Sequence, residues 1–188
     1  MSRLILVRHG VPVVETDVPS PQWRLSDAGR HAVQALTHQG DWPMVSRIFH
    51  SRESKARDTA YELARSLNAP VTEFAALGEI AFIEPKFYDP EPFDQLVEDF
   101  LVRGIQGPFA ESYEEAERRI VDAVVDISRD TDSGIPIAVS HGRIFSVLWS
   151  YLIGQRLSLL EWKEIPMPGL AVIDPQERQI LVPWTGTH

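Results

Sequence analysis

Two short segments could do chemistry together: Arg8-His9-Gly10, after the apolar run Leu4-Ile5-Leu6-Val7, and Ser140-His141-Gly142, after Ile135 to Val139. Each run predicts a buried strand that delivers a histidine to its carboxyl end, where open α/β sheets place their ligand sites. An imidazole beside a fixed arginine suits phosphoryl chemistry. The planar guanidinium holds phosphate oxygens, and the imidazole nitrogen can attack phosphorus. If the two strands are parallel neighbours, both histidines reach one rim. Gly10 is expected to let a substrate approach the backbone closely.

Between these segments lies Ser51-Arg52-Glu53-Ser54-Lys55-Ala56-Arg57-Asp58-Thr59-Ala60, a cationic helix start directly after a strand. Its first-turn N–H groups and macrodipole favour an anion, and Ser51 reads as the helix cap rather than as a ligand. Glu79 follows Leu77-Gly78 and completes the set, with Glu84 close by as its rival. His31, His38, His50 and His188 show no metal-ligand spacing, so no role is assigned to them and no metal site is expected. Trp162, Phe87, Tyr88 and Phe93 are assigned to core or lid packing rather than to the site.

The elements that must position these groups alternate along the chain. Strands are expected at Leu4 to Val7, Val45 to Phe49, Val71 to Phe74 and Ile135 to Ser140, with a terminal hairpin of Leu170 to Ile173 and Gln179 to Val182. Helices are expected from Ser26 as N-cap, over about Ser51 to Leu67, near Phe93 to Val102, over Ser112 to Arg129 and over Ile144 to Ile153. The Ser112/Glu115 pair fits a capping box. Val11 to Gln22 reads as a loop beside the site. This alternation predicts a parallel sheet covered on both faces, with one antiparallel edge.

A length of 188 residues is expected to form a single domain, 1–188, with 80–110 as a lid. Hydrophobic residues at 44% and charged residues at 24% match a soluble globular chain. No run approaches the roughly 18 apolar residues of a membrane span. With no cysteine and no signal-peptide pattern at the N-terminus, the expected location is cytoplasmic. A net charge of −9 argues against nucleic-acid or anionic-membrane partners but leaves room for a small anionic substrate in a locally cationic pocket.

Taken in order, Arg8-His9-Gly10, Leu25-Ser26-Asp27-Ala28-Gly29, the Ser51 to Ala60 segment, Glu79, Glu111-Ser112-Tyr113 and Ser140-His141-Gly142 resemble the histidine phosphatase superfamily, also called phosphoglycerate mutase-like. The resemblance implies a three-layer αβα sandwich with no cofactor and no metal. It implies a phosphatase acting on a phosphorylated small molecule. His9 would be the nucleophile that becomes phosphohistidine. His141, Arg8, Lys55 and Gly142 would hold the phosphoryl group, and Glu79 would serve as acid and then base. Those roles require a neutral His9 and a Glu79 with a raised pKa.

Three departures from the family pattern stand out. Lys55 occupies the place of a second phosphate-binding arginine, and Arg52, one turn away in the usual proline position, is the candidate to supply the missing fork. Val11-Pro12 replaces the usual threonine and asparagine. Arg143 stands where a second glycine is common, and reads either as a substrate contact or as a partial plug. Mutase-type transfer, a catalytically weak phospho-ligand-binding protein and a protein phosphohistidine phosphatase remain alternatives. Substrate identity and oligomeric state are left open.

Overall fold

The computed structural model describes residues 2–38, 42–129 and 134–186. His188 lies outside them. Among the described residues the strands are β1 (Leu4–Arg8), β2 (Val45–His50), β3 (Val71–Glu73), β4 (Ile135–Ser140), β5 (Gly169–Asp174) and β6 (Gln179–Gly186). The helices are α1 (Asp27–His38), α2 (Ser54–Leu67), α3 (Pro90–Leu101), α4 (Tyr113–Ile127), α5 (Gly142–Ile153) and α6 (Leu159–Glu164). The strands form one sheet in the order β3-β2-β4-β1-β5-β6. Its first four strands are mutually parallel, and the antiparallel side is two strands wide, β5 and β6.

Strand alternation explains the layering. Leu4 and Leu6 point into one core and Ile5 and Val7 into the other, so β1 is apolar on both faces. α1 and α2 close the second face through Val33, Leu36, Ala56, Ala60 and Leu63. α3, α4 and α5 close the first through Val97, Phe100, Ile120, Val124, Phe145 and Leu148. The expected mixed α/β sandwich is therefore the observed one. No helix of the described residues is long and apolar enough to cross a membrane.

Local signals account for most boundaries. Ser26 Oγ accepts from the Gly29 N–H, 2.9 Å, and starts α1 as expected. Ser112 and Glu115 form the expected capping box of α4. α3 begins earlier than Phe93, because Pro90 and Pro92 sit in a first turn that needs no N–H donors. α6 was not anticipated, although Ser158 and Glu161 form a capping box of the same kind.

Candidate active site

Register brings the two histidines together. β1 and β4 are adjacent, Arg8 lies opposite Ser140, and the His9 N–H donates to the Ser140 carbonyl at 3.0 Å. His9 and His141 therefore leave the sheet at the same height, both buried, with ring centroids 5.1 Å apart.

His9 Nδ1 lies 2.8 Å from the Gly10 carbonyl oxygen. A carbonyl can only accept, so Nδ1 carries the proton and the neutral ring keeps its lone pair on Nε2. Burial, reinforced by the charges of His141 and Lys55, holds its pKa well below the usual imidazole value. The expectation of a neutral His9 is met. His141 is also lowered, to about 4: burial and the nearby Lys55 and Arg143 outweigh the opposing Glu53 and Glu79. Its Nε2 lies 2.6 Å from Ser51 Oγ and 3.4 Å from Glu53 Oε1, while its Nδ1 is buried without a partner. Ser51 is thus a partner of His141 and not the helix cap. α2 begins after Glu53, which occupies the cap position without a side-chain hydrogen bond.

Arg8 closes β1 with a buried guanidinium whose Nη1 donates to the Ile165 carbonyl and whose Nε is unpaired. Burial lowers its pKa to about 10, with Glu79 opposing, so it stays charged at neutral pH. Lys55, also buried, donates to the Ser20 carbonyl at 2.9 Å and to Glu53 Oε2 at 2.5 Å. Arg52 is not part of this group. Its side chain is 72% exposed and pairs with Glu73 at 3.0 Å, because it precedes the helix and turns outward to the β3 edge.

Glu79 is gripped by three backbone N–H groups and one ion pair. Its Oε1 accepts from Ile80 N and Ile144 N, each at 2.9 Å, and its Oε2 accepts from Arg143 N at 3.1 Å with Arg143 Nε 3.4 Å away. Arg143 and Ile144 belong to the first turn of α5, so this carboxylate caps a helix N-terminus. Burial pushes its pKa up, but Arg143, His141 and the backbone donors prevail and hold it at about 2. The expectation of a raised pKa is corrected: Arg143, His141 and the backbone donors keep Glu79 ionised. Its loop is fixed from below by Arg119, which donates to the carbonyls of Ala76 and Gly78 and pairs with Glu111 through two contacts. Ser140 Oγ adds a hydrogen bond to the Leu77 carbonyl. The rival Glu84 is exposed.

Glu53 is the central residue that sequence reading missed. One carboxylate joins Lys55, His141 and the Glu79 backbone N–H, the last at 3.0 Å. It stays ionised because His141 and Lys55 overcome its burial. Its signal is one of two acids, with Asp58, inside a segment that carries Arg52, Lys55 and Arg57.

The glycines divide their work. A Cβ on Gly10 would meet Leu25 and Val33, so Gly10 lets α1 pack against the strand end and does not serve substrate approach. A Cβ on Gly142 would meet the Arg8 guanidinium at 2.9 Å, so Gly142 keeps the site itself open. His50 donates to the Ser51 carbonyl, and His31 and His38 are exposed.

These groups form the floor of a cavity of 430 Å³ lined by Arg8, His9, Lys55, Glu79 and Arg143. Its walls are apolar: Val11, Pro12, Val14 and Val18 from the loop after β1, and Phe82, Phe87, Tyr88 and Phe93 from segment 80–110. The aromatic residues assigned above to packing thus face the site, Trp162 included. Arg143 lies between Phe82, Phe93 and Phe109, 5.3 to 5.4 Å from each ring, which ties the roof to the Glu79 carboxylate. A cationic, histidine-bearing floor under an apolar roof can bind and transfer an oxyanion such as a phosphoryl group.

Comparison with known proteins agrees with this chemistry. No curated protein sequence matches the chain significantly. Among solved structures, the phosphoserine phosphatase of Entamoeba histolytica in complex with 3-phosphoglyceric acid superposes with a TM-score of 0.76 at 17% identity, covering 100% of this chain and 98% of that one. YhfR of Bacillus stearothermophilus gives 0.77 at 18%, covering 99% and 97%. A mycobacterial glucosyl-3-phosphoglycerate phosphatase gives 0.70 at 17%, covering 98% and 96%. At these identities the likeness concerns the fold. The sequence profile of the histidine phosphatase superfamily (branch 1) matches residues 4–185, and the chain belongs to that family.

Proposed function

We propose that this protein is a phosphatase that hydrolyses phosphate monoesters of small molecules through a phosphohistidine on His9. The observation that carries the reading is the state of His9. Its Nδ1–H is committed to the Gly10 carbonyl, so the lone pair on Nε2 belongs to a neutral ring beside two buried cations, Arg8 and Lys55. Family membership supplies the phosphoryl chemistry.

In the first step His9 Nε2 attacks phosphorus. The P–N bond forms as the bond to the ester oxygen breaks, and the leaving alcohol takes a proton from Glu79. In the second step water attacks the phosphoryl group on His9 and gives its proton to Glu79, which releases inorganic phosphate and the neutral ring. Arg8 and Lys55 offset the charge on the transferring oxygens, with His141 beside them. Glu79, ionised before substrate arrives, is suited to the base role at once. To act as acid it must first gain a proton. A phosphoryl dianion entering beside it raises its pKa by the Coulomb effect that Arg143 and His141 exert in the opposite sense.

Segment 80–110 sets selectivity in this reading, because it supplies the aromatic side of the cavity. A cavity of 430 Å³ under such a roof fits a small-molecule ester better than a phosphohistidine on a protein surface. The test is phosphate release from an aryl phosphate in excess chelator by wild type and His9→Ala. Release that requires His9 supports the reading. Release unchanged in His9→Ala, or none in wild type across a panel of phosphate monoesters, overturns it.

A further inference from the structure

We infer that the indole N–H of Trp162 is a phosphate ligand of this site, acting with Arg8 Nε on one phosphoryl oxygen. The assignment rests on the phosphatase reading above and extends it to a residue outside the strand-end motifs.

The short helix α6 brackets Arg8. One residue beyond its end, the Ile165 carbonyl accepts from Arg8 Nη1. From within the helix, Trp162 turns its indole nitrogen toward the same guanidinium. The point where a Cβ of residue 142 would project lies 2.9 Å from Trp162 Nε1 and 3.0 Å from Arg8 Nε. Both nitrogens are buried and neither has a hydrogen-bond partner. Arg8, Gly142 and Trp162 all line the cavity. Buried N–H groups are nearly always paired in folded proteins, so two unpaired donors flanking one glycine mark a place shaped for an acceptor.

Chemistry narrows that acceptor. An indole nitrogen only donates, and the neighbouring guanidinium is cationic, so an oxygen of an anion fits the pair. The other cations leave room for such a donor. Arg8 Nη1 is committed to Ile165, and Lys55 is a compact charge already shared with Ser20 and Glu53. A fixed, directional N–H supplies what a lysine in place of a forked arginine lacks. The Trp162 ring also packs 6.1 Å from Phe93 of α3, so the same side chain joins the phosphate floor to the aromatic roof.

Trp162→Phe removes the N–H and keeps an aromatic ring. Titration calorimetry with inorganic phosphate should give a Kd about tenfold or more above wild type, and KM for an aryl phosphate should rise with it, while the thermal midpoint stays near wild type. Unchanged phosphate affinity and KM in this variant overturn the assignment and leave the His9 mechanism standing. Absence of both hydrolysis and phosphate binding in wild type overturns the phosphatase reading, and this assignment with it. Should Trp162→Phe fail to fold, the five tryptophan indole N–H signals of the wild-type protein decide. One should shift on phosphate addition and persist in Trp23→Phe, whose indole is already bonded to the Glu15 and Val18 carbonyls. If none shifts, the assignment fails.

Discussion

His9 and His141 meet edge to face, their ring planes at 61° and their centroids 5.1 Å apart. Each ring has one nitrogen committed, His9 Nδ1 to the Gly10 carbonyl and His141 Nε2 to Ser51, so neither can turn without breaking a buried hydrogen bond. Replacing His141 by alanine removes a neighbour of the nucleophile and takes one partner each from Ser51 and Glu53. We expect kcat to fall by about 10²–10³, the scale of losing one transition-state donor. Steady-state kinetics on a purified, folded variant check it, and a loss under fivefold contradicts it.

Lys55 and Arg52 lie close in sequence and should behave oppositely. Lys55→Met removes a buried cation at the cavity floor, and KM for a phosphate monoester should rise by about 30-fold or more. Arg52→Ala loses only an exposed pair with Glu73, worth at most about 1 kcal/mol of stability, and should leave kinetics within twofold. Parallel kinetics of the two variants test the assignment.

Glu79 predicts a pH profile that depends on the leaving group. Its carboxylate is held at about 2, so its protonated fraction grows as pH falls, while His9, lowered well below the usual value, stays neutral. For an alkyl phosphate, which needs a protonated leaving oxygen, kcat/KM should rise from pH 8 toward pH 5 relative to an aryl phosphate. Each ester's rate is first corrected to its phosphate dianion, because the aryl ester's second ionisation lies at lower pH than the alkyl ester's. Glu79→Gln should abolish the difference and spare the aryl ester more than the alkyl one.

Stability should decline on acidification in two stages. His141 has a pKa of about 4 in the fold against 6.5 unfolded, so the unfolded chain binds more protons between those values. Stability is then full above pH 6.5 and is lost as pH falls toward 4, by roughly 3 kcal/mol from this group. Glu79 adds a further loss from about 4.5 down toward 2, since its carboxylate must be protonated against Arg143. Urea unfolding between pH 7 and 4 measures the first stage; His9, also lowered, contributes to it, so His141→Asn should reduce its slope without abolishing it.

The strand ends were readable because their chemistry is local: four buried residues, then a fixed tripeptide, twice. Arg8, His9 and Lys55 line the cavity, and His141 lies beside His9. Arg52 was misplaced because one residue outside a helix start decides which way a side chain turns, and the β3 carboxylate that attracts it is distant in sequence. The ionisation of Glu79 was illegible for the same kind of reason, since it depends on the α5 N-terminus reaching across the site. Nothing local singles out Glu53, and only the approach of Glu79 and His141 makes it a hub. Trp162 rests on a six-residue helix whose capping box is short, so the element itself escaped notice.

The central claim is a covalent bond from His9 Nε2 to phosphorus, and rapid quenching tests it most directly. Wild-type protein is mixed with a phosphorus-labelled aryl phosphate, quenched in alkali within milliseconds and digested for mass spectrometry. The account predicts label on the peptide carrying His9, stable to base, labile to acid, and absent from His9→Ala. Turnover with no label on His9 at any quench time, or label on His141 instead, contradicts it.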